Sequence, residues 1–255
     1  MLHVRIANWY RARAKRDHAR MTQMELEVGA LLVAGAPTEV KNDEGLSPLL
    51  QACKYDAGTI VRVLIAAEAE YQQVQNAQKL RPLLLAAQEN SPAAFEVVAD
   101  ALREKGVLAS AARRPGNGYT ALHFAAIADA ADLIKRAGRF DEFRKSSVID
   151  CLSSEGETKT GALHKCAMYG HLESMKALLE LGADVDLRDS NGATALHVAA
   201  RVEIKILRRA RAESSRRPPR HRRDASSTAW RCVSKPDAMI DFHTGRRARG
   251  PVREG

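Results

Sequence analysis

Aromatic residues make up only 5% of this 255-residue chain, although hydrophobic residues reach 45%. A core must therefore be built mainly from Ala, Leu and Val, which suits thin, closely packed helices better than a thick sandwich or barrel. No apolar run approaches the ~18 residues that a membrane span requires, so a soluble protein is expected. The first twenty residues, MLHVRIANWYRARAKRDHAR, hold no apolar stretch of the kind a secretory signal needs. The four cysteines, Cys53, Cys151, Cys166 and Cys232, form no C-x-x-C pair, which argues against a zinc or redox site. Cys53 and Cys166 sit in apolar runs as expected buried thiols, and a reducing compartment, cytoplasmic or nuclear, fits best.

Charge is unevenly spread. The overall +9 divides into +5 over residues 1–20, −6 over the next 180 residues and +10 over 201–255. An acidic middle is thus flanked by two basic ends.

What the chain does contain is internal repetition. GLSPLLQAC from Gly45, KLRPLLLAA from Lys79, NGYTALHFAA from Asn117, TKTGALHKCA from Thr158 and NGATALHVAA from Asn191 align on one template. Their anchors, Ser47, Arg81, Thr120, Gly161 and Thr194, are separated by 34, 39, 41 and 33 residues. A fixed period of this size indicates stacked supersecondary units. Ser47, Thr120 and Thr194 stand where a hydroxyl can cap a helix start. Pro48 and Pro82 follow such positions, where a missing N–H costs nothing. Gly35 and Gly182 close helices that want a left-handed residue. In the clearest unit Leu172, Met175, Leu178 and Leu179 recur at helical spacing and are expected to face the stack.

These motifs resemble the ankyrin-repeat family, whose period is about 33 with a T-P-L-H-x-A signature. The resemblance implies an α-solenoid of helix–turn–helix units joined by β-hairpin finger loops, with about four complete units and partial end units. It divides the chain into a basic segment over 1–10, a solenoid over 11–210 and a basic, disordered tail over 211–255. Units are expected near 11–42, 43–76, 77–115, 116–156 and 157–189, with a partial one at 190–210. Leu50 and Leu84 replace the usual His, and Gly161 replaces Thr and loses a cap. The long stretch from Ala137 to Lys159 is placed in the third finger, since loops absorb insertions in solenoids.

Chemistry is not indicated. His123, His164 and His197 occur once per repeat with no second ligand at metal spacing, so each is expected to bond hydroxyl and backbone groups. No H-E-x-x-H, G-x-S-x-G or phosphate-cradling glycine loop is present. Neither catalysis nor a metal nor a cofactor is expected. The resemblance implies instead a protein partner held on a concave surface. Its candidate contacts are Leu46, Leu80 and Tyr119 in the third slot of each repeat, Tyr55 and Tyr169 at inner-helix ends, and the finger acid Asp189. The tyrosines serve either as interface anchors or as packing at the helix end.

The expected function is an intracellular adaptor or scaffold. The alternatives are a substrate-recruiting fragment of a larger ligase, kinase or acyltransferase, or weak nucleic-acid association through the Arg-rich tail RRARAESSRRPPRHRR. After Ala200 the repeat pattern breaks. Val202, Ile204, Ile206 and Leu207 form either a shortened outer helix or an inner helix that runs on.

Overall fold

The computed structural model describes residues 1–67, 69, 71, 75–76, 78–114, 116–153 and 158–203. These fall within the first of two units of the chain, Met1–Arg209. The expected end of the repeats at 210, Ile204, Ile206, Leu207, Cys232 and the basic tail lie outside the described residues.

Short inner helices alternate with outer helices in antiparallel pairs. They are α1 (Leu2–Ala14) with α2 (His18–Val33), α3 (Pro48–Lys54) with α4 (Gly58–Ala66), and α5 (Pro82–Gln88) with α6 (Pro92–Glu104). The short helix α7 (Leu108–Ala111) follows. Next come α8 (Ala121–Ile127) with α9 (Ala131–Ala137), two single-turn helices α10 (Asp141–Arg144) and α11 (Ser146–Ile149), and α12 (Ala162–Tyr169) with α13 (Leu172–Leu181). Inner helices pack in one layer, α1–α3–α5–α8–α12, and outer helices in a second, α2–α4–α6–α9–α13. This is an α-solenoid. The fingers carry isolated antiparallel bridges, Arg113 with Thr120 and Ser153 with Thr160, and no longer strand occurs among the described residues.

The local sequence explains the starts of α3 and α5. Ser47 Oγ accepts from Leu50 N at 3.4 Å, and Pro48 and Pro82 occupy first-turn positions. Ala52, Ala86, Ala87, Ala125 and Ala126 are wholly buried, and their small side chains let successive inner helices approach closely. In the outer layer Gly58 serves the same end, because a Cβ there would lie 3.1 Å from that of Ala93.

Each inner helix ends in a residue with left-handed backbone. These are Arg16, Asp56, Asn90, Asp129 and Gly170, with φ of 55°, 56°, 50°, 52° and 74°. Such a conformation costs a non-glycine residue about 1 kcal/mol, least for Asn and Asp. Two of the acids offset this by joining neighbours. Asp56 Oδ1 accepts from the N–H groups of Ala93 and Ala94 at 2.8 and 3.0 Å, capping α6 of the following pair. Asp129 Oδ1 accepts from Ser174 Oγ at 2.8 Å on α13.

Three expectations need correction. The first helix starts at Leu2, ahead of the boundary expected at residue 11. Leu2, Ile6, Trp9 and Ala12 bury one face at helical spacing, and the arginines that dominate the segment's composition lie elsewhere on the helix. The residues added after Ala137 do not simply lengthen a finger. Phe140, Phe143, Val148 and Ile149 are buried, so apolar content folds them into α10 and α11 before the finger begins. On α13 the buried set is Ser174, Ala177, Leu178 and Leu181, whereas Leu172 and Leu179 are exposed. Among the described residues no outer helix follows α13. After Ala200, of the two alternatives the inner helix runs on: one helix covers 195–203 without a turn.

Phe143 tests the packing of the added segment. Its ring is fully buried, 5.6 Å from Phe95 and 6.3 Å from Phe140 between centroids. Phe143→Ala is expected to lower unfolding free energy by about 3–5 kcal/mol, measured by urea denaturation. A cost under about 1 kcal/mol would mean that α10 is not part of the core.

Candidate protein interface

The fingers are built by one recurring device. Asn42, Asn76 and Asp189 each turn a side-chain oxygen back onto the loop that follows. Asn42 Oδ1 accepts from Glu44 N and Leu46 N at 3.0 and 2.9 Å. Asn76 Oδ1 accepts from Gln78 N and Leu80 N at the same distances. Asp189 Oδ1 accepts from Asn191 N and Ala193 N at 2.8 and 2.9 Å. Short polar side chains at loop starts favour such turns because they mimic a backbone carbonyl.

A second device locks fingers to helices. His123 Nδ1 lies 2.9 Å from Thr120 Oγ1 and accepts from Thr120 N, while its Nε2 reaches Thr160 O of the next unit at 3.0 Å. His164 repeats the bridge, with Nδ1 accepting from Gly161 N at 3.3 Å and Nε2 on Ala193 O at 2.9 Å. The hydroxyl missing at Gly161 therefore costs one contact and leaves the bridge standing. Burial, aided by Lys165, His164 and Arg113, lowers the His123 pKa to about 4 despite the bond to Thr160. The ring is a neutral structural link. At Leu50 and Leu84 the same slot is filled by fully buried leucine.

These devices decide where the expected contact residues lie. Leu46 and Leu80 are buried under their own fingers. Tyr119, 2% exposed, packs against His123 and Phe124 at 5.2 and 5.3 Å beneath the Lys165 ammonium. Asp189, 6% exposed, spends its carboxylate on the finger turn. All four are thus buried and not at the surface, Leu46, Leu80 and Tyr119 because the slot before the helix start points into the stack, and Asp189 because its carboxylate closes the finger.

Tyr55 and Tyr169 lie differently. Both are half-buried at the ends of α3 and α12. Tyr55 stacks on Tyr10 of α1 with centroids 4.3 Å apart and planes 17° apart, and Lys54 stands over its ring. Tyr169 stacks on His171 at 5.7 Å. Tyr10 is more exposed than either. It escaped the sequence reading because the helix that carries it is disguised by arginine; the i, i+4, i+7 spacing of Leu2, Ile6 and Trp9 was the available signal. Arg13 donates to Tyr55 O at 2.7 Å and pairs with Asp56 at 3.0 Å, fixing the turn beside the ring pair.

The two buried thiols, Cys53 and Cys166, are not prepared as nucleophiles. Burial, reinforced by Asp56, drives the Cys53 thiol far above its ordinary range, and Cys166 is pushed up to about 12 by burial and Asp129. Among the described residues no group of three or more His, Cys, Asp and Glu side chains could hold a metal ion.

Comparison with known proteins agrees with the fold. Residues 163–202 match the family described as ankyrin repeats (many copies). The chain is similar to protein phosphatase 1 regulatory subunit 27 of Mus musculus, 39% identical over 66 residues, which is 26% of this chain and 40% of the relative. It is also similar to the Notch-regulated ankyrin repeat-containing protein of Xenopus tropicalis, 40% identical over 52 residues, 20% of this chain and 43% of the relative. The chain thus spans less than half the length of these curated relatives.

The buried imidazole makes stability depend on pH. Above the unfolded-state value near 6.5 neither state carries a proton on His123. Between about 6.5 and 4 the unfolded chain takes one up and the folded chain does not, so acidification costs stability. The loss is on the order of 3 kcal/mol and levels off below pH 4. Urea midpoints of His123→Gln should fall less steeply from pH 7 to 4 than those of the unaltered protein. Parallel slopes would place the titration elsewhere.

Proposed function

Because the chain belongs to the ankyrin-repeat family, we propose that it is an adaptor or scaffold that binds a protein partner across its inner-helix ends and fingers. The observation that carries this reading is the pair of half-buried tyrosines at equivalent helix ends, Tyr55 and Tyr169, the first extended by the stacked ring of Tyr10. Tyrosine gives large contact area with little side-chain entropy to lose and keeps a hydroxyl for a polar partner group. Each ring is already braced by its neighbour, so little ordering is needed on binding.

A relative named as a phosphatase regulatory subunit and another named as a Notch-regulated ankyrin-repeat protein support a regulatory, non-catalytic role. Cys53, Cys151 and Cys166 are free thiols, which fits a reducing compartment, cytoplasmic or nuclear. One scaffold of this kind serves many unrelated targets, so the partner's identity has to come from capture.

The test is affinity capture on the 255-residue chain, followed by titration of the captured partner against a Tyr55→Ala, Tyr169→Ala double variant. Affinity is expected to weaken about tenfold or more with the urea midpoint little changed. Undiminished binding would overturn the choice of surface.

A further inference from the structure

Arg113, Arg114, Gly116 and Gly118, together with α7 and α11, border an open cavity of about 740 Å³ whose described lining is rich in cations. Arg81, Arg113, Arg114 and Lys159 all reach it, with the hydroxyl-bearing Ser147, and no described lining residue is acidic or aromatic. This contrasts with the repeat region as a whole, which is net acidic between residues 21 and 200. Among the described residues none of the four cavity cations pairs with a carboxylate.

Arg81 adds a second observation. Its Nε is buried and makes no hydrogen bond. A buried donor without a partner is costly, and natural structures rarely keep one without reason. Arg81 stands at the N-cap of α5, where other repeats place a capping hydroxyl, so its identity is not demanded by the helix. Arg114 is steadied by donating to Gln78 O at 2.8 Å, which leaves the rest of its guanidinium fork available.

We propose that this cavity binds a phosphorylated side chain of a protein partner. The proposal rests on the interaction role above and adds the chemistry of what is recognised. A phosphate monoester carries nearly two negative charges and three acceptor oxygens, a better match to three guanidinium forks and an ammonium than one carboxylate. The volume exceeds that of one phosphorylated side chain, leaving room for adjoining peptide. A nucleic-acid strand fits less well, since the described lining offers no ring for base stacking and the cations form one concavity instead of a stripe.

The test uses the full chain and fluorescent degenerate peptide pools with a fixed central phosphoserine, serine or glutamate. The phosphoserine pool should bind about tenfold tighter than the serine pool, with glutamate between. Arg81→Gln with Arg113→Gln should abolish the difference, as should Lys159→Ala, which alters an exposed side chain and spares the fold. Arg103→Gln, outside the cavity, should leave it intact. Equal binding of the phosphoserine and serine pools would overturn the proposal, as would equal weakening by Arg103→Gln. A single-stranded oligonucleotide that bound as tightly as the phosphoserine pool and was lost in the same variants would overturn it in favour of nucleic acid. A captured partner that needs Tyr55 and Tyr169 but ignores phosphorylation would leave the interaction role standing and overturn this inference alone.

Discussion

A pair of helices seven to sixteen residues long has no interior of its own, and everything else in this structure follows from that constraint. Each pair must press both broad faces against neighbours before its leucines are out of water. The chain meets the requirement with alanine at the contact between inner helices and leucine, valine and isoleucine behind it. Scarce aromatics are thus a consequence of the architecture: Phe95, Phe140 and Phe143 appear where the added helices α10 and α11 widen the stack.

Polar links hold the pairs in register. In the later repeats the imidazoles of His123 and His164 tie one unit's helix start to the next unit's finger. In the earlier ones Leu50 and Leu84 fill that slot, and the coupling shifts to Asp56, which caps a helix of the following pair while Arg13 of the preceding pair holds it. On the outer layer Glu96 of α6 pairs with Arg136 of α9 and with Arg139 beyond it. These last contacts are partly exposed and contribute little energy; they align the pairs more than they stabilise them.

Much of the fold was legible because repeats announce themselves by spacing. Anchors at Ser47, Arg81, Thr120, Gly161 and Thr194 located every inner helix after the first, and the turn glycines Gly35 and Gly182 have the positive φ expected of them. Charge hid the rest. The arginines of α1 masked a buried stripe through Leu2, Ile6, Trp9 and Ala12 and with it the exposed ring of Tyr10. For the interface, motif position named Leu46, Leu80, Tyr119 and Asp189, yet position in a repeat does not tell which way a side chain turns. The cation-lined cavity was invisible in sequence, because Arg81, Arg113 with Arg114, and Lys159 precede three successive inner helices, α5, α8 and α12, and meet only when the stack closes.

If stability resides in contact between neighbours, pairs with two neighbours must be held more firmly than those at the ends of the stack. Native-state hydrogen exchange resolved by helix measures this directly. Amides of α5, α6 and α8 are expected to exchange only on global unfolding, while those of α1 and of the helix over 195–203, where Leu196 is 71% exposed, exchange through cheaper local opening. Equal protection from α1 through residue 203 would contradict a stack held by its neighbours and indicate a single indivisible core.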